Sequence, residues 1–189
     1  MIPLALNPSR LNLALAGVGA PALRRLRGLR AAGAQRLSVF STDPAILDAA
    51  GGEGLNRLPR PDEVAGWHML WMVGLEPAQY RPLAEAARAA NVLVNVEDVP
   101  EFCDFNSVAE IRRGDFLLTI STGGQAPGLA GALRRRLEAC FPESWAARVK
   151  EIAALRQGWQ AEHVPMPEAA RRIDDIVEQS CWLSCPKSK

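Results

Sequence analysis

Apolar residues in the first half of the chain fall in short unbroken runs. Leu11 to Ala16, Leu37 to Ser41, Met69 to Val73 and Val92 to Val96 are the clearest. Runs of this length, apolar on both faces, predict strands of a buried parallel sheet. Between them the apolar positions change to helical spacing. Leu23, Leu26 and Leu29 form one stripe, ending near Gly33; Leu83, Ala86, Ala87 and Ala90 form another, within a helix over 77–90. A further helix begins at Pro44, and the Gly/Pro-rich link 51–61 holds one short strand around Leu55 to Leu58. Strands alternating with helices predict a parallel sheet with right-handed crossovers. After Asp98 the pattern changes. Phe102 to Ile111 and Phe116 to Ser121 read as two strands joined by a turn at 112–115. A helix follows with Leu129, Ala132, Leu133 and Leu137 on one face, then two more over 143–182 separated by His163 to Pro167. Two strands and one helix do not make a stable unit alone. Residues 185–189 read as a loose tail.

The junctions carry the candidate chemistry. Gly17-Val18-Gly19-Ala20-Pro21-Ala22 is Gly-x-Gly-x-x-Ala between a strand and a helix, the dinucleotide-binding arrangement of a Rossmann-like fold. Gly17 would make the tight turn, Gly19 would admit a pyrophosphate to the backbone, and Ala22 would let helix and strand pack closely. A plain strand-to-helix turn is the other reading. The second strand ends in Phe40-Ser41-Thr42-Asp43. Asp43 either holds the ribose hydroxyls of NAD or caps the helix at Pro44; Ser41 is another candidate ribose contact. The strand Val92 to Val96 delivers Glu97 and Asp98 at its carboxyl end, where open α/β sheets bind ligands. The run Phe116 to Ile120 delivers Ser121-Thr122-Gly123-Gly124 just before a helix with Pro127 near its start. Hydroxyls and free amides there suit an anionic group, or serve as a helix cap.

The segments Asn95-Val-Glu-Asp98, Ile120-Ser-Thr-Gly-Gly-Gln-Ala-Pro-Gly-Leu-Ala130 and Leu133-Arg-Arg-Arg-Leu-Glu138 resemble the precorrin-2 dehydrogenase / sirohydrochlorin ferrochelatase family. That family occurs alone or as the N-terminal part of siroheme synthase. The resemblance covers most of the chain and thins before residue 90 and after 145. It implies NAD-dependent oxidation of precorrin-2 to sirohydrochlorin, with insertion of Fe²⁺ as an open second activity. It makes Asp98 the general base, with Glu97 beside it rather than a second base. It implies a homodimer. Ser121, Thr122 and Gly123 are candidates for a cofactor phosphate or a substrate carboxylate, and of Arg134, Arg135 and Arg136, which otherwise form a solvated basic face, Arg134 is the candidate substrate contact. The resemblance also implies three parts: 1–101 for NAD, 102–142 for dimerisation, and a helical domain 143–189 over the substrate. After the fourth strand the family has a Thr-Asp-Asp-like segment, whereas this chain has Gly74-Leu-Glu-Pro77. A carrier or chelatase-only relative that binds a tetrapyrrole without oxidising it is the alternative. A generic NAD-binding redox sensor is a third reading, disfavoured by Asp98 and Ser121–Ala130.

Composition narrows the rest. With 22 basic and 21 acidic residues in 189, the net charge is +1, which argues against a general nucleic-acid binder. The N-terminus lacks a charged signal-like region, and no run approaches a membrane span, so the expected location is the cytoplasm. Cysteines 103, 140, 181 and 185 form no Cys-x-x-Cys pair and read as reduced thiols, with no resident metal. His68 and His163 have no ligand spacing and read as structural. The five tryptophans read as packing groups. Arg24, Arg25, Arg112 and Arg113 are further candidates for the carboxylates of a tetrapyrrole.

Overall fold

The computed structural model describes residues 2–183, so the tail expected at 185–189 lies outside the described residues. The chain divides into two compact units, 1–106 and 107–189. The first is built from β1 (Asn12–Gly17), α1 (Gly19–Ala31), β2 (Arg36–Phe40), α2 (Pro44–Ala50), β3 (Gly54–Leu55), β4 (Met69–Val73), α3 (Pro77–Ala89) and β5 (Leu93–Val96). The sheet order is β3-β2-β1-β4-β5, and every pair is parallel. β1 and β4 lie at the centre, which is why their runs are apolar throughout. Alternate residues feed two cores. Ala14, Ala16, Leu70 and Met72 pack with Tyr80, Leu83, Ala84 and Ala87 of α3. Leu13, Leu15, Trp71 and Val73 pack with Ala22 and Leu26 of α1 and Ile46 of α2.

The structure shortens the third strand and shifts it toward the N-terminus. Gly54 is pressed against α2, where a Cβ would lie 3.0 Å from Leu47 Cδ2. The chain then leaves the sheet at Arg57, whose guanidinium donates to both oxygens of Glu63 at 2.6 Å. That hydrogen bond holds the Glu63 carboxyl down to about 2. A carboxyl lowered on folding stabilises the fold above its unfolded value, and the contribution disappears as pH falls through the folded value. Glu63→Gln is therefore expected to lower the melting temperature at pH 7 and to have a much smaller effect at pH 2. An undiminished effect at pH 2 would assign the loss to packing instead.

The segment from Phe102 also differs from the expected strand. Pro100–Phe102 is a 3₁₀ turn, and residues 103–105 run along the free edge of β5. Asp104 N–H donates to Val94 O at 2.7 Å, and Val94 N–H donates to Asp104 Oδ2 at 2.9 Å. Phe102 and Phe105 pack edge-on against Tyr80 and Trp71. An edge strand has backbone groups to satisfy, and this segment satisfies them.

The second unit opens with the antiparallel pair β6 (Ala109–Arg113) and β7 (Phe116–Ile120). Gly114-Asp115 makes the turn, with Gly114 at φ +58, as a II′ hairpin requires. Helices α4 (Pro127–Glu138), α5 (Trp145–Ala161) and α6 (Met166–Gln179) follow. α6 begins inside the expected link, because Pro165 and Pro167 flank its first turn, where a missing N–H costs nothing. Phe116 stacks on Phe141, Phe141 packs tilted against Trp145, and Trp145 meets Trp182 edge-on, with Arg148 over both tryptophans at 5.1 and 5.0 Å. Cys103 is a free thiol. Cys140 is disulfide-bonded, against the expectation of a reduced thiol. Among the described residues no helix is long and apolar enough to cross a membrane.

Candidate functional site

Register places the ends of three central strands in one row. Gly17 pairs with Val73, and Met72 with Val96. The order reverses between β1 and β4, the switch point where such sheets bind nucleotides. The two loops there touch. Val18 N–H donates to Val73 O at 3.0 Å. A Cβ on Gly17 would lie 2.5 Å from Val73 O and 3.0 Å from Ala22 Cβ. A Cβ on Gly74, at φ +66, would lie 2.8 Å from Val18 O. Gly19, at φ +77, faces open space instead: its nearest atom is Pro21 Cδ at 3.7 Å. Gly17 closes the turn, and Gly19 leaves its outer face bare. This cradle fits a dinucleotide pyrophosphate at the start of α1.

The two residues expected at the ribose are both held by the loop. Ser41 is completely buried. Its hydroxyl donates to Gly17 O at 2.7 Å and accepts from Asp43 N–H at 3.0 Å, so it braces the turn from beneath. Asp43 Oδ1 accepts from Ala45 N–H at 2.9 Å, which caps α2. Its Oδ2 accepts from Gly19 N–H at 3.0 Å. Asp43 is therefore a cap, and also a strut to the glycine loop. Sequence spacing offers no signal for that second contact. The N–H of Ala20 has no partner among the described residues.

Asp98 lies one residue past Glu97, whose N–H donates to Met72 O at 2.9 Å. Val99 N–H closes the turn onto Val96 O at 3.2 Å. Asp98 occupies its third position at φ +63, exposed at the carboxyl edge of the sheet. Few non-glycine residues take this conformation, and such strain gathers at functional sites. Beneath it Asn95 is buried and donates to Phe105 O at 2.9 Å. Cys103 Sγ donates to Val96 O at 3.1 Å, and burial pushes its thiol pKa up. These supports were not legible in advance, because residues 102–105 read as a strand.

The remaining candidates belong to the second unit. Ser121 Oγ accepts from Gly123 N–H at 3.3 Å, and Thr122 Oγ1 from Ala126 N–H at 3.2 Å. Gly123 and Gly124 are both left-handed, at φ 66 and 80. The loop is thus folded around its own hydroxyls, with Ala126 at the cap position of α4. Arg134 is paired with Glu138 at 3.0 Å. Arg113 is largely buried and donates to Phe141 O at 2.9 Å, a structural role. His68 Nδ1 accepts from Asn12 N–H at 2.9 Å, tying β1 to the start of β4.

Residues 4–109 match the family described as putative NAD(P)-binding. A siroheme synthase of Methylococcus capsulatus is 32% identical over 176 residues, covering 91% of this chain and 37% of the relative. A siroheme synthase of Gluconacetobacter diazotrophicus is 33% identical over 165 residues, covering 82% and 34%. The chain thus spans little more than a third of the length of these curated relatives. Among solved structures, "SirC, precorrin-2 dehydrogenase" superposes with a TM-score of 0.74 at 18% identity, covering 97% of this chain and 93% of that one; this likeness shows the shared fold. The first unit is therefore an NAD(P)-binding domain. The chain belongs to the putative NAD(P)-binding family, and over most of its length it is similar to part of the siroheme synthases.

Proposed function

We propose that this chain oxidises precorrin-2 to sirohydrochlorin, with NAD as acceptor, in siroheme biosynthesis. The observation that carries the reading is Asp98, held left-handed at the carboxyl edge of the same sheet that presents the glycine cradle. The reaction removes a hydride and a proton. NAD, when bound, supplies the hydride acceptor. The residues of the chain do the rest: Gly17, Val18, Gly19 and Ala20 seat the pyrophosphate, and Asp98 takes the proton as general base. Ser121, Thr122, Gly123 and Arg134 bind substrate carboxylates, which requires Arg134 to share or leave Glu138. Anaerobic incubation with precorrin-2 and NAD, followed by the absorbance of sirohydrochlorin, tests the reading. No sirohydrochlorin with NAD or NADP would leave the carrier or chelatase-only alternative. Adding Fe²⁺ to the product then tests ferrochelation, which the exposed Asp98 supports because metal insertion also removes protons.

The same reading makes the protein a cytoplasmic homodimer, with 102–142 as the dimerisation segment and 143–189 as the substrate cover. The hairpin of β6 and β7 has only two strands, too few to be stable without further partners. Val108, Leu117, Leu129 and Leu133 are all more than a third exposed. Light scattering at micromolar concentration is expected to give twice the 20.5 kDa chain mass. A monomer, with hairpin amides protected from exchange, would refute the dimer.

A further inference from the structure

The carboxylate of Asp43 occupies a donor that a cofactor phosphate would use. At the start of a helix an anion is held by the first free amides. In α1 these are few. Gly19 N–H donates to Asp43 Oδ2 at 3.0 Å. Ala20 N–H is free among the described residues. Pro21, in the first turn, has no N–H at all. Val18 N–H is spent on Val73 O. The outer face of Gly19 is open, so nothing else stands between this amide and an approaching ligand. Asp43 is also fixed, because its other oxygen caps α2 through Ala45 N–H at 2.9 Å and its own N–H is held by Ser41 Oγ at 3.0 Å.

From this we infer that Asp43 is an internal competitor of the cofactor pyrophosphate rather than a ligand of the ribose hydroxyls. It rests on the reading of Gly17–Ala22 as the dinucleotide cradle. In the free protein the carboxylate closes the glycine loop against α2. When a dinucleotide binds, its phosphate takes the Gly19 amide, Asp43 gives up one hydrogen bond, and two like charges come close. The site therefore binds NAD more weakly than its backbone geometry alone would allow, which favours release after each turnover.

The two roles of Asp43 predict opposite signs. Asparagine caps a helix as well as aspartate does, so Asp43→Asn keeps the bond to Ala45 while losing the charge. Its amide group cannot accept from Gly19 N–H while its oxygen is on Ala45. Asp43→Ser keeps a cap on a shorter arm. Titration calorimetry with NAD is expected to show both variants binding tighter than the wild type, by about fivefold or more, the order of one regained hydrogen bond to a charged group. Heat of binding in the wild type that weakens in both variants would overturn the inference and restore the ribose role. Unchanged affinity would overturn it equally. No heat with NAD in the wild type or either variant would remove the inference together with the cofactor reading beneath it.

Discussion

Asp98→Asn is expected to lower turnover by about 10²–10⁴-fold, the range of a positioned general base, while the melting temperature stays within a degree or so of the wild type. The argument rests on what the side chain does not do. Among the described residues the Asp98 carboxylate makes no hydrogen bond or ion pair. The turn is closed by backbone alone, through Val99 N–H and Val96 O at 3.2 Å. Asparagine tolerates a left-handed backbone as aspartate does, so φ +63 is no obstacle. What asparagine cannot do is accept a proton at neutral pH. Asp98→Ala separates the two effects. It should show the same loss of turnover, and in addition a stability loss of about 1–2 kcal/mol, because alanine pays the left-handed penalty that aspartate largely escapes. Turnover and melting should be measured on the same samples. Wild-type turnover per folded molecule in Asp98→Asn would take this residue out of the mechanism.

The parallel sheet was legible because its signal is local. Leu13 to Ala16 and Met69 to Val73 are buried on both faces and carry no polar residue to confuse the period. The tight turn at Gly17 was legible for the same reason: Gly17 and Ala22 stand at fixed spacing after a strand. What escaped were long-range polar contacts. Nothing near Asp43 in the sequence indicates that its second oxygen reaches Gly19, 24 residues earlier. Ser41 read as a candidate ribose contact, because the carbonyl its hydroxyl bonds belongs to Gly17, also 24 residues away. Residues 102–105 read as a strand by composition. They do lie against a sheet edge, but as an irregular segment that uses the Asp104 side chain where a ladder bond would be. Asp98 was singled out by its neighbours in the motif, and its left-handed φ gives that choice a physical basis that the motif alone lacks.

The glycines at 17 and 19 should fail in different ways, and the difference tests the cradle itself. In Gly17→Ala the new methyl would lie 2.5 Å from Val73 O, a backbone atom of the central strand β4 that cannot rotate away, and 3.0 Å from Ala22 Cβ on the other side. Relief requires β1 and β4 to part or α1 to lift. Such overpacking costs about 1–3 kcal/mol, occasionally more. For a chain of this size each kcal/mol lowers the melting temperature by about 2–4 °C. Because the same shift opens the turn, dinucleotide binding should fall with stability. In Gly19→Ala the methyl meets only Pro21 Cδ at 3.7 Å, so packing is not disturbed. The cost is the backbone alone, about 1–2 kcal/mol for φ +77. The methyl would instead stand on the open face where the phosphate must approach, and affinity for NAD should fall by more than the stability change accounts for. Circular dichroism melting and calorimetry on both variants would resolve the pair. A Gly17→Ala protein that melts like the wild type would show that the contact of β1 with β4 is looser than the geometry states. A Gly19→Ala protein with undiminished NAD affinity would place the pyrophosphate elsewhere.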